Sequence, residues 1–157
     1  MLYVMTKNKE IMGEPLPVFR HFMNVSRIFF KEADSYLGKL FGVSSGKFAV
    51  LMALYFNDGP VSSSNLARIT ITRPNNITAL VQRLKKQDLV ATEKEATDLR
   101  FVMVRLTPKG HALMDKAMPA ARQFVMSTMS GFDEKEAVAL DSCLTRLEKN
   151  LLSKKRS

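Results

Sequence analysis

The sequence predicts a mainly α-helical fold carrying one small β-hairpin, and three observations carry that expectation. Two short helical patterns lie close together between Ser62 and Gln87, a strand pair follows up to Leu106, and long helices with apolar stripes flank the set. Helix, turn, helix and hairpin in this order describe a winged helix-turn-helix. The 157 residues fit a single domain, 1–157, with residues 16–41 and 108–152 as dimerisation helices and residues 44–107 as the winged lobe.

Residues 1–13 show no sustained period and precede Pro15 and Pro17, so a loosely ordered arm is expected there. From Leu16 to Phe41, the residues Phe22, Val25, Phe29, Ala33, Tyr36 and Leu40 recur at a three-then-four spacing. Phe19, Met23, Phe30, Leu37 and Phe41 form a second stripe beside them. So wide an apolar surface exceeds what a one-sided surface helix needs. One stripe then faces the core and the other a second copy of the chain, the alternative being a helix buried deep in its own domain.

Ser44 or Ser45 can cap the next helix, whose inward positions are Phe48, Leu51, Met52 and Tyr55. Asn57-Asp58-Gly59-Pro60 stops it, because Gly relieves the left-handed turn and Pro cannot continue the ladder. Val61 is expected as a one-residue strand beside the later hairpin. Ser62 caps a short helix that carries Leu66, Ala67 and Ile69.

A second start signal follows at Thr72-Arg73-Pro74, since proline suits the first helical position. From Pro74 to about Gln87, Ile77, Leu80, Val81 and Leu84 share one face, while Asn75, Ala79, Gln82, Arg83 and Lys86 lie opposite, with Asn76 and Thr78 at the margins. That outer face matches what a DNA major groove offers. Asn and Gln pair with the N6 and N7 edge of adenine, Arg with guanine, and Ala or a Thr methyl meets the thymine methyl. Asn75, Asn76 and Thr78 are poor choices for a helix interior, so their place in the first turns points to another use. Simple N-terminal capping is the competing explanation, and it accounts for one of the three more easily than for all.

Leu89-Val90 leaves this helix, and Phe101 to Leu106 alternates, with Val102, Val104 and Leu106 on one face. Residues 93–99 form the expected hairpin tip. Asp98 and Arg100 share one side of an extended chain, so the aspartate can orient the arginine toward a narrow minor groove, where negative potential is strongest. An ordinary surface ion pair would have the same spacing.

Thr107 and Pro108 open the next helix, whose apolar face runs from Leu113 to Met129 past Pro119, where a bend is expected. Phe132-Asp133-x-x-Glu136 resembles a capping box opening the last helix, and Val138, Leu140, Leu144, Leu147 and Leu151 make its stripe. Cys143 lies mid-way along it and is expected to be a buried, inert thiol, the alternative being an accessible, activated thiolate that senses oxidation. Lys154-Lys155-Arg156 reads as a solvated tail.

Charge narrows the partners. The formal net charge is +9, and between Ser62 and Gly110 nine Lys or Arg stand against four acids, so over half the excess lies in the winged segment. An anionic partner is favoured. One cysteine makes no internal disulfide, no secretory leader pattern opens the chain, and no apolar run has the length of a membrane span, so a reduced, cytoplasmic protein without membrane contact is expected. Only His21 and His111 are present, with no metal-ligand cluster and no Gly-rich phosphate loop. No catalytic residue, metal or cofactor is therefore assigned. A winged-helix module that binds protein instead of DNA remains the competing class.

Leu66-Ala67, Ile77-Thr78-x-Leu80-Val81-x-Arg83-Leu84, Leu89-Val90, Asp98-x-Arg100 and Val104-x-Leu106-Thr107-x-x-Gly110 together resemble the MarR family of transcriptional regulators. The resemblance covers most of the chain. It implies six main helices and a wing, an obligate homodimer built from the first and last helices, and double-stranded DNA as partner, read as a pseudo-palindromic operator. Its recognition helix would present Arg73, Asn75, Asn76, Thr78, Gln82, Arg83 and Lys86, and its wing Asp98 and Arg100. It also implies release by a small aromatic or phenolic ligand held between the dimer helices and the DNA-binding lobes, where His21 is the candidate polar contact. This chain departs from the family pattern at Asp88, where glycine is usual, and at Ala91, Glu93 and Leu99, where basic residues are common. Aspartate can occupy the left-handed position at a helix end, though less comfortably than glycine.

Overall fold

Local signals place every helix boundary close to its observed position in the computed structural model, which describes residues 15–94 and 102–153. The order is α1 (Pro15–Phe41), α2 (Ser45–Tyr55), β1 (Val61–Ser62), α3 (Ser63–Ile69), α4 (Pro74–Lys86), β2 (Val90–Lys94), β3 (Val102–Leu106), α5 (Pro108–Thr128) and α6 (Glu134–Ser153). Ser44, and not Ser45, caps α2, its Oγ accepting from the Lys47 amide at 3.4 Å. The Ser62 Oγ accepts from the Asn65 amide at 3.2 Å and so caps α3. These acceptors satisfy amides that have no partner within the helix.

The three strands form an antiparallel sheet in the order β1-β3-β2. Val61 pairs with Val104 and Ser62 with Met103, so the first strand is one residue longer than expected. Val90 pairs with Leu106 and Lys94 with Val102, which carries β2 past Glu93, where the hairpin tip was expected to begin. Asp98, Arg100, the N-terminal arm and the Lys154-Lys155-Arg156 tail lie outside the described residues.

The chain divides into two units, residues 1–118 and 119–157. In the first, Val43, Val50, Leu51, Leu66, Ile77, Leu84, Val90, Val104 and Met114 are fully buried, joining α2, α3, α4, the sheet and the start of α5 in one core. Helix α1 contributes only Ala33 and Leu37 to the buried set and leaves Phe19, Met23, Val25, Ile28 and Phe30 exposed. Its alternative reading, a helix buried deep in its own domain, is thereby excluded for the single chain.

In the second unit, α6 opens on a reciprocal capping box. The Asp133 amide donates to Glu136 Oε2 at 2.9 Å, and the Glu136 amide donates to Asp133 Oδ1 at 2.8 Å. None of its residues is buried. Cys143 is accordingly exposed, which corrects the expectation of a buried thiol: neighbouring Leu140 and Leu144 are exposed too, so the stripe it adjoins is not covered within the chain. Helix α5 continues through Pro119, whose missing N–H leaves the Asp115 carbonyl without its usual helical donor.

Candidate nucleic-acid interface

Helices α3 and α4 meet through a turn held by its own backbone. The Thr70 amide donates to Leu66 O at 2.9 Å, and the Thr72 amide donates to Ala67 O at 2.9 Å. Between them Ile71 takes φ 52°, a left-handed conformation that a β-branched side chain tolerates poorly. Arg73 then stands at the N-cap of α4 without a capping side-chain bond, and Pro74 fills the first helical position.

The two faces of α4 separate as its spacing predicts. Ile77, Val81 and Leu84 are buried and Leu80 is half-buried, whereas Arg73, Asn75, Asn76, Thr78, Gln82, Arg83 and Lys86 are all exposed. Because the cap position belongs to Arg73, capping does not account for Asn75 or Asn76. Thr78 is different: its hydroxyl donates to the Pro74 carbonyl at 3.2 Å, a local use compatible with the helix. Arg83, Lys85 and Lys86 crowd the last turn, where cations complement the negative end of the helix dipole.

A hollow of about 330 Å³ adjoins this face, and Thr78 and Gln82 line it together with Ser63 and Ser64 of α3 and Thr92 of β2. Sequence reasoning missed Ser63, Ser64 and Thr92. The Ser62-Ser63-Ser64 run carried a capping signal only, and Thr92 enters through strand pairing, which no local pattern reveals. Lys85 Nζ donates to Thr92 Oγ1 at 2.8 Å and ties α4 to the root of the wing. On α3, Arg68 is oriented by Asn65, whose Oδ1 accepts from Nε at 3.2 Å and from Nη2 at 2.8 Å.

Beyond α4, Asp88 takes φ 58°, the left-handed position expected of it, and the Leu89 amide closes back on Leu84 O at 3.0 Å. His21, the candidate ligand contact, is exposed on α1 beside an open hollow that Arg20, Asn24, Val25 and Ile28 also line. Among the described residues no group of three or more His, Cys, Asp or Glu is arranged to hold a metal ion. No single described helix is long and apolar enough to cross a membrane.

Residues 41–100, which take in α2 through α4 and β2, match the sequence model described as the MarR family. Over that segment the chain is similar to MarR-family regulators. Similarity to solved structures extends over most of the chain's length. BpsR of Bordetella bronchiseptica, whose DNA binding is regulated by 6-hydroxynicotinic acid, is 28% identical, with 84% of this chain and 96% of that one covered and a TM-score of 0.68. The transcriptional regulator BldR of Sulfolobus solfataricus is 29% identical over 86% of this chain and 97% of its own, with a TM-score of 0.73. The transcriptional repressor NicR of Pseudomonas putida is 36% identical over 98 residues, a match that spans 62% of this chain and 61% of that repressor. These relatives are named as regulators and not as enzymes.

Proposed function

We propose that this chain is a MarR-family regulator, a cytoplasmic transcriptional repressor that binds double-stranded DNA as a homodimer. The carrying observation is α4, which buries Ile77, Val81 and Leu84 and exposes Asn75, Asn76, Gln82 and Arg83. Amide and guanidinium groups on one solvent face of a short helix suit base-edge hydrogen bonding in the major groove. Arg73 and Lys86 add cations for phosphate at its two ends, and Arg100 is the residue that the family resemblance assigns to the minor groove.

The dimer follows from uncovered apolar surface. Phe19, Met23 and Phe30 of α1 and Val138, Leu144 and Leu151 of α6 are exposed in the single chain. Apolar surface on this scale is ordinarily covered by a partner. A two-fold pair of α4 helices would read half-sites about 10 bp apart or a small multiple of it.

A small aromatic acid releases the operator. BpsR, regulated by 6-hydroxynicotinic acid, supports that ligand class. On α1, His21 lines an open hollow with Asn24 and carries hydrogen-bonding groups that a carboxylate or phenol takes. The ligand weakens DNA binding by favouring a dimer geometry that misplaces the recognition helices.

Selection of bound sequences from a random duplex pool tests the reading. A palindromic consensus bound by a dimer in sedimentation is expected. Absence of any enriched sequence, with binding insensitive to salt, would leave a protein-binding winged helix as the better description.

A further inference from the structure

The C-terminal end of α4 is held by one residue that joins three other parts of its unit, two through its side chain and one through its carbonyl. Gln87, the C-cap of α4, accepts from Lys47 Nζ of α2 at 2.8 Å through Oε1 and donates from Nε2 to the Gly42 carbonyl at 3.4 Å. Its own carbonyl accepts from Lys109 Nζ of α5 at 2.9 Å. Gly42 follows directly on α1, its amide donating to Gly38 O at 3.1 Å, and Asp34 of α1 accepts from the Ser45 amide at 2.6 Å, which fixes the start of α2. Hydrogen bonds therefore run from α1 through the α1–α2 corner to Gln87 and on to α5.

The chemistry of this strap is directional. Gln87 and Lys47 are both half-buried, so their charge-assisted bond is less diluted by water than a surface contact. An apolar side chain of similar size would fill the same space without an acceptor for Lys47 or a donor for Gly42. The amide thus adds a defined pose of α4 against the corner, beyond the packing that Ile77, Val81 and Leu84 already supply. Base-edge hydrogen bonds depend on such a pose, whereas phosphate contacts tolerate a tilted helix because neutralisation needs proximity more than angle.

We infer that Gln87 is a positioning residue for sequence reading: it sets the pose of α4 so that Asn75, Asn76, Gln82 and Arg83 meet base edges together. The inference rests on the DNA-binding reading above. Its quantity is the ratio of operator affinity to random-duplex affinity. A variant that merely unfolds a fraction of the protein lowers both affinities equally and leaves the ratio unchanged.

The test is fluorescence anisotropy on the full chain with the selected operator and with a random duplex of equal length. Gln87→Met is expected to lower the ratio about tenfold, the loss of roughly one hydrogen bond to a charged group. Lys47→Met should lower it similarly, and the double variant by less than twofold more, because both remove one strap. Gln87→Glu keeps the acceptor for Lys47 and should restore most of the ratio, even though its charge weakens both affinities. An unchanged ratio in Gln87→Met, or fully additive losses, overturns the inference while the wild type still binds its operator. A wild type that binds neither duplex overturns the DNA-binding reading, and this inference with it.

Discussion

Gly110 presses so closely on the Leu89 carbonyl that a Cβ placed on it would lie 2.1 Å from the oxygen. The approach is built by Thr107, whose amide donates to Leu89 O at 3.1 Å and whose Oγ1 donates to Asp88 O at 2.7 Å and accepts from the Gly110 amide at 3.0 Å. The first turn of α5 is thus docked, backbone on backbone, against the turn that ends α4. Gly110→Ala must push the two segments apart. A loss of about 3 kcal/mol in urea unfolding is expected; a loss below about 1 kcal/mol would mean that the helix start shifts without resistance.

Ile71 presents the opposite case, a strained residue that the fold does not need. It is 83% exposed, so its side chain contributes little packing, and its φ of 52° is costly for a β-branched residue. Ile71→Asn keeps a side chain that tolerates the left-handed region and avoids the backbone entropy of glycine. The variant should be more stable by about 1 kcal/mol in the same unfolding measurement. Unchanged or lower stability would show that the isoleucine makes a contact worth its strain.

Tyr55 links α2 to α5 and gives stability a pH dependence. Its hydroxyl donates to Asp115 Oδ1 at 2.7 Å, and its pKa is raised above the ordinary tyrosine value, first by that hydrogen bond and then by desolvation and the carboxylate charge. A pKa raised on folding means that the contribution is fully present below the unfolded value, about 10, and fades as pH climbs through the folded one. Wild type should therefore lose stability faster than Tyr55→Phe as pH rises above about 10. Parallel pH profiles for the two proteins in thermal unfolding would remove this linkage.

What the sequence made legible was local. The period of α4, Pro74 at its first position, Thr107-Pro108 and the Asp133–Glu136 capping box are each decided within a few residues, and each stands where expected. The segregation of Asn75, Gln82 and Arg83 from Ile77 and Val81 follows from the same arithmetic. Ile71 escaped because propensity assigns left-handed turns to Gly, Asn or Asp, and tertiary packing of α3 against α4 overrode it. Cys143 was misplaced because an apolar stripe says that a surface is covered without saying whether its own chain covers it. The Gln87 strap was invisible for a simpler reason: its side-chain partners lie 40 and 45 positions away, beyond the reach of any periodicity.

The division of labour along α4 separates two kinds of loss. Asn76 is exposed in the first turn and is not the cap, so removing its side chain should leave the helix intact and even favour it slightly, since alanine is the better helix former. Any loss in Asn76→Ala then reports on DNA. If the amide reads a base, the variant loses about 1–3 kcal/mol on the selected operator and little on random duplex. Lys86 lies in the last turn with no base-reading chemistry comparable to a bidentate amide. Lys86→Ala should weaken operator and random duplex alike and reduce the slope of log affinity against log salt by about 0.9, the release of one condensed counterion. The two variants are thus predicted to fail along different axes, sequence for Asn76 and salt for Lys86. Identical, salt-independent losses in both would show that α4 lies away from the groove, whatever its exposed face resembles.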